Sequence, residues 1–186
     1  MKFYESGDNC KPVIFLFPGT CCLYSSFDHV LDGLHSYFYT VTVSYDGFDP
    51  NEKTEFYSME DECEKIEQEI TKKYGGRIKA AYGCSLGGSF VSLLIQRKRI
   101  HIDHGIIGSS DMDEAGYLVA KIQSSMVVPF MYKMVHTGTL PKFMQKNLDK
   151  TDSGKKELYN GFLNMFGIGK GGSPWITKQS IYNQFY

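Results

Sequence analysis

The sequence has 186 residues, a formal net charge of −1, 42% hydrophobic and 22% charged residues. This is globular composition at a size for one domain with a well-buried core, and it excludes disordered and fibrous chains. No Lys/Arg stripe is present to neutralise phosphates and no apolar run reaches spanning length, so neither nucleic-acid binding nor membrane insertion is expected.

The N-terminus MKFYESGDNC carries polar residues where a signal peptide has its apolar core. The five cysteines, at positions 10, 21, 22, 63 and 84, match neither a zinc spacing nor a small disulfide framework. Free thiols in a reducing, cytoplasmic setting are the expectation, with no metal and no cofactor.

VIFLFPGT, from Val13, is a continuous apolar run closed by Pro18 and Gly19, the pattern of a strand buried on both faces. Phe27, Val30, Leu31 and Leu34 then fall at helical spacing behind a cap at Ser25 or Ser26. FYTVTVSYDGFDP is β-branched and aromatic until Asp46 and Gly47 break it, which predicts a second strand. The next helix is capped by Ser58 with Asp61 three residues on, and its buried stripe is Met59, Cys63, Ile66 and Ile70. Lys72 and Lys73 suit its C-terminal dipole, and Gly75 stops it. RIKAAYGCS reads as a third strand, Ser85 to Arg99 as a helix, and HIDHGIIGSSD as a fourth strand. Alternation of this kind predicts an α/β fold: a parallel sheet with helices on both faces, joined by right-handed crossovers.

From residue 115 the texture changes. Apolar residues recur at helical spacing to about Leu148, with Met126, Met131, Met134 and Met144 among Phe130, Tyr132 and Phe143, and no further buried strand is evident. Two accounts fit: plain helical packing, or a helical cap whose methionines line an apolar substrate pocket. The expected division is a core over 1–114 and a helical cap or C-terminal segment over 115–186. Gly167, Gly169 and Gly172 match G-x-G-x-x-G, but no buried strand precedes them and no acidic residue follows to hold a ribose, so they predict a flexible loop.

Gly83-Cys84-Ser85-Leu86-Gly87 matches G-x-S-x-G. Chance alone gives that pattern in about one chain in twenty of this length. Here it follows a buried strand directly and opens a helix directly, as a nucleophile elbow requires. A strand that turns sharply into a helix strains its corner residue and brings the residues two before and two after close together, so only small ones fit. Gly83 and Gly87 meet that need with Ser85 at the corner. A corner at Cys84 would put Tyr82 and Leu86 in the crowded positions, so Cys84 is assigned to packing. An oxyanion would be received by the Leu86 N–H and by a second donor in the loop after the first buried strand, Thr20 or alternatively Cys21.

The elbow GCSLG, the loop PGT after VIFLF, and the β/α order up to IIGSSD resemble the α/β-hydrolase family over roughly residues 11 to 113. The resemblance departs at Pro18, where many members have histidine. It implies a Ser, acid, His triad in that order and reveals no substrate. With Ser85 as nucleophile, the expected reaction is cleavage of an ester, thioester or related small-molecule acyl bond through an acyl-enzyme; the apolar character of the substrate rests on the cap account of the methionines. Asp111 and Asp113 follow the fourth strand, and Asp111 is the candidate acid or else a helix cap. His29 and His35 precede the serine, His101 and His104 lie at the entry of the fourth strand, and His136 alone has the right order to be the base. In the family, acid and histidine follow two further parallel strands that the residues after Asp113 do not offer. The expectation is therefore an incomplete catalytic unit whose acid and base lie beyond Tyr186, or a hydrolase-like protein that only binds.

Overall fold

Alternation along Val13–Phe17 places Phe15 and Phe17 in one core and Ile14 and Leu16 in another, so this strand is buried from both sides. In the computed structural model, which describes residues 1–110, 117–142, 146, 152–167 and 171–185, it is the centre of a five-stranded sheet. The strands are β1 (Lys2–Ser6), β2 (Val13–Phe17), β3 (Tyr39–Ser44), β4 (Arg77–Cys84) and β5 (His101–Gly108), ordered β1-β3-β2-β4-β5. The last four in chain order are parallel, with Phe15 paired to Val41 on one side and Ala81 on the other.

The sheet is not wholly parallel. β1 runs antiparallel along β3, Lys2 opposite Ser44, in a stretch that carried no strand expectation. Its alternation is broken by charge, and it is held from outside: Glu5 accepts from Tyr39 Oη at 2.9 Å and from Tyr74 Oη at 2.5 Å.

Helices cover both faces. α1 (Asp28–His35) lays Leu31 and Leu34 over Ile14, Leu16 and Ala80, while α2 (Met59–Tyr74) and α3 (Leu86–Arg97) lie over the larger core. α2 follows its sequence signals: Ser58 Oγ accepts from Asp61 N–H at 3.1 Å, and Gly75 closes it in the left-handed region, φ 64°. The cap expected at Ser25 or Ser26 is not formed. Tyr24–Phe27 is a 3-10 turn that runs straight into α1, so the first-turn donors meet backbone carbonyls and not a hydroxyl. α3 ends at Arg97, because Lys98 takes φ 55°.

β5 also departs from the buried strand expected. Among the described residues it pairs with β4 alone, and Ile106 and Ile107, on opposite faces, are 47% and 42% exposed. Beyond it lie α4 (Tyr117–Thr137), α5 (Ser153–Asn164) and α6 (Lys178–Asn183). Val128, Met134, Val135, Leu163, Phe166, Ile176 and Ile181 from this part join the same core as Phe17, Tyr45 and Phe90. Met134 thus packs in the interior, whereas Met126 is 76% exposed; Phe143 and Met144 lie outside the described residues. In the glycine-rich stretch, Gly172 is not free to move: a Cβ on Gly138 would come within 2.2 Å of its nitrogen.

One buried carboxyl ties the end of β3 to α2. Glu62 accepts from Asp46 N–H at 3.0 Å and from Lys65 Nζ at 3.1 Å, and burial pushes its pKa up to about 7 against those partners. The unfolded chain releases this proton near 4.5 and the folded chain only near 7. Unfolding therefore releases a proton in that window, and stability falls as pH rises through it, by at most about 1.4 kcal/mol per pH unit. Glu62→Gln abolishes the titration. Urea midpoints at about pH 5 and about pH 8 should show the wild type losing stability relative to the Glu62→Gln variant, with parallel curves as the contrary result.

Candidate active site

β2 sends the chain to β3 on one side and the return passes to β4 on the other, so the carboxyl ends of β2 and β4 lie at the reversal of strand order, where open α/β sheets form their binding crevice. Phe17 pairs with Gly83, and both chains leave the sheet side by side, as Pro18-Gly19 and Cys84-Ser85. The third edge of the crevice is β5: Ser85 N–H donates to Gly108 O at 2.8 Å, and Ser89 and Ser110 hydroxyls meet at 3.1 Å.

Ser85 stands at the corner with φ 53° and ψ −121°, a conformation that costs an L-residue about 1–3 kcal/mol, and it is exposed. The surrounding backbone enforces it. A Cβ on Gly83 would lie 2.0 Å from Gly87 O, and one on Gly87 would lie 2.0 Å from Phe17 O. A Cβ on Gly19 would lie 3.5 Å from the Ser85 Cβ, so the loop after β2 runs directly against the serine. Leu86 is the first residue of α3, so its N–H has no acceptor within its own helix and points with the positive end of the dipole.

Beneath the corner, Phe90 stacks on Tyr45 at 4.7 Å between ring centroids and on Phe17 at 6.3 Å, which fixes the roll of α3. Tyr45 is fully buried, its phenol held protonated by that burial, and it donates to Pro18 O at 3.1 Å. Cys22 N–H closes a turn on Gly19 O at 3.0 Å. Cys21 N–H is taken by Gln184 Oε1 at 2.8 Å, which removes Cys21 as a free donor and leaves Thr20 as the loop's candidate. Cys21 and Cys22 are buried, with thiols pushed up by burial, that of Cys22 to about 12. Cys84 is half-buried.

Among the described residues no histidine is hydrogen-bonded to Ser85. Ser85 Oγ has no hydrogen-bond partner among the described residues. His35 Nε2 meets Ser6 Oγ at 2.9 Å, and His101 pairs with Asp103. His29 and His104 are exposed on α1 and β5. His136 stacks its ring on Tyr132 at 5.0 Å, with a buried Nδ1 that has no partner. Asp111 and Asp113 lie outside the described residues. Gln184 was invisible to sequence reasoning, since only the fold reveals that a residue 163 positions away reaches the loop after β2.

Solved structures share this fold. An α/β hydrolase family protein from Desulfitobacterium hafniense superposes with a TM-score of 0.74 at 14% identity, over 99% of this chain and 70% of that one. The chain has the α/β-hydrolase fold. A carboxylesterase from Nitrososphaera gargenis gives 0.68 at 13% identity, and a thermophilic esterase from Thermogutta terrifontis gives 0.70 at 14%, each over 99% of this chain and 66% of the other. No protein-family model matches the chain, and no curated protein matches it in sequence. Against this α/β-hydrolase frame, the crevice at Ser85 lies where the fold's strand order reverses.

The glycine contacts give a stability test. Gly83→Ala must push backbone against backbone and should cost about 3 kcal/mol, a Tm drop of roughly 10 °C. Gly161, on α5 with nothing within 4 Å of an added Cβ, is the control. Gly161→Ala should gain up to about 1 kcal/mol. Equal Tm values for the two variants in a thermal melt would show that the corner is not tight.

Proposed function

We propose that the chain is a serine hydrolase that cleaves an ester, thioester or related acyl bond of an apolar small molecule through an acyl-enzyme on Ser85. The observation that carries this is the exposed serine at φ 53°, set between an unpaired helix N-terminus and the backbone of Gly19. Ser85 Oγ adds to the acyl carbon, and the carbonyl oxygen takes the negative charge between the N–H groups of Leu86 and Thr20. The leaving group departs with the serine's proton, and water releases the acid. Asp111 and His136 are the acid and base this reading offers in the family's order. All five cysteines being unbridged supports a reducing, cytoplasmic setting. The esterases that share the fold support the reaction class.

A second reading, a binding protein with hydrolase architecture and no turnover, is favoured by one observation: Ser85 Oγ lacks a hydrogen-bond partner among the described residues. Without a proton acceptor, a hydrolase keeps only oxyanion stabilisation and binding, roughly 10³–10⁴ over water.

Labelling by a fluorophosphonate probe, with hydrolysis of p-nitrophenyl butyrate beside it, separates the two. The hydrolase reading expects label on Ser85, none on Ser85→Ala, and a loss of about 10²-fold or more in rate in His136→Ala if that imidazole is the base. Label absent from Ser85, with the ester still bound, would establish the binding reading.

A further inference from the structure

The loop after β2 contains a second strained residue. In the four-residue turn from Gly19 to Cys22, closed by Cys22 N–H on Gly19 O at 3.0 Å, the third residue is Cys21 at φ 60°. A positive φ at that position goes with a reversed central peptide and is normally given to Gly or Asn. Here a buried cysteine takes it, so something outside the turn must favour the reversed Thr20–Cys21 peptide.

That something is Gln184. Its Oε1 accepts from the Cys21 N–H at 2.8 Å, while its Nε2 is buried without a partner. The residue is only 6% exposed. Its mount is rigid. Gln184 N–H donates to Ile181 O at 3.1 Å at the end of α6, and α6 is pinned to the loop after β3 by Asn183 Nδ2 on Phe56 O at 2.7 Å. Phe56 N–H in turn donates to Ser180 Oγ at 3.2 Å. An amide that leaves its own donor unsatisfied to accept one backbone N–H is costly to bury, which marks the contact as a constraint rather than incidental packing.

We propose that Gln184 is a positioning residue for the oxyanion loop: it holds the Thr20–Cys21 peptide reversed and so fixes the turn that carries the Thr20 N–H beside Ser85. Without it, the strain at Cys21 is relieved by turning that peptide, which loosens the turn that presents the Thr20 N–H beside the place where negative charge develops. The role rests on the reading of Ser85 as nucleophile, but the hold on the turn does not.

The test uses Gln184→Met, which keeps volume and loses the acceptor, and Gln184→Glu, which keeps an oxygen toward Cys21. Amide hydrogen exchange of Cys21, followed by NMR, should accelerate about tenfold in the Met variant and stay near wild type in the Glu variant. Phenylboronic acid, which forms a tetrahedral adduct on a reactive serine, should show a ¹¹B signal in wild type that Ser85→Ala abolishes. In folded Gln184→Met its Kd should weaken about tenfold, and in Gln184→Glu it should remain within about threefold. Unchanged Cys21 exchange in the Met variant overturns the hold. Altered exchange with an unchanged boronate Kd overturns the positioning role, and no adduct on wild-type Ser85 overturns the nucleophile reading instead. Should Gln184→Met fail to fold, a folded Gln184→Glu with weakened adduct overturns the proposal.

Discussion

The first turn of α3 rests on the ends of β2 and β4 with no room for a single methyl group. Gly83 faces the Gly87 carbonyl, and Gly87 faces the Phe17 carbonyl, each at a separation that only a missing Cβ allows. That contact fixes the rest. It forces Ser85 into the left-handed half of backbone space, lifts its side chain clear of the sheet, and directs the free N–H groups of a 12-residue helix at the crevice. Phe90, stacked on Phe17 and Tyr45, resists any roll of α3 that would relieve the strain.

Much of this was legible because each signal was local. GCSLG encodes the corner in five residues, VIFLF encodes a strand buried on both sides, and the Ser58 to Gly75 helix carries its own cap and stop. What the sequence hid was non-local. Lys2–Ser6 becomes a strand only because β3 offers an edge and Tyr39 and Tyr74 hold Glu5. β5 has the apolar residues of an interior strand, but burial depends on neighbours, and among the described residues these are chiefly β4 and α3. Gly172 belongs to a G-x-G-x-x-G match that predicts a loop and Gly138 to no motif, yet their mutual approach is as tight as that at the elbow.

The C-terminal part is where local reading failed most instructively. Helical spacing of its methionines fits either core or cap, and the structure divides them, burying Met134 while exposing Met126. Its other contribution is polar. Met165 O accepts from Leu23 N–H at 3.1 Å, and Ser180, Asn183 and Gln184 bond the loops after β3 and β2. These loops leave the carboxyl ends of their strands, so a segment with no strand among its described residues supports the edge on which the crevice is built.

That division of labour bears on the chemistry. A serine hydroxyl without an acceptor keeps its proton near neutral pH, so strain and exposure at Ser85 raise access to the oxygen without raising its basicity. On the proposed reading, the N–H groups of Leu86 and Thr20 act on a different quantity, the charge that develops after attack, and they act whether or not a base is present. On the proposed hydrolase reading, the corner and its loop constitute one separable half of an acyl-transfer site, the half made of backbone. On that reading the strained turn at Cys21 matters as much as the strained serine, since the one holds the turn that carries the Thr20 N–H and the other opens the helix that presents the Leu86 N–H.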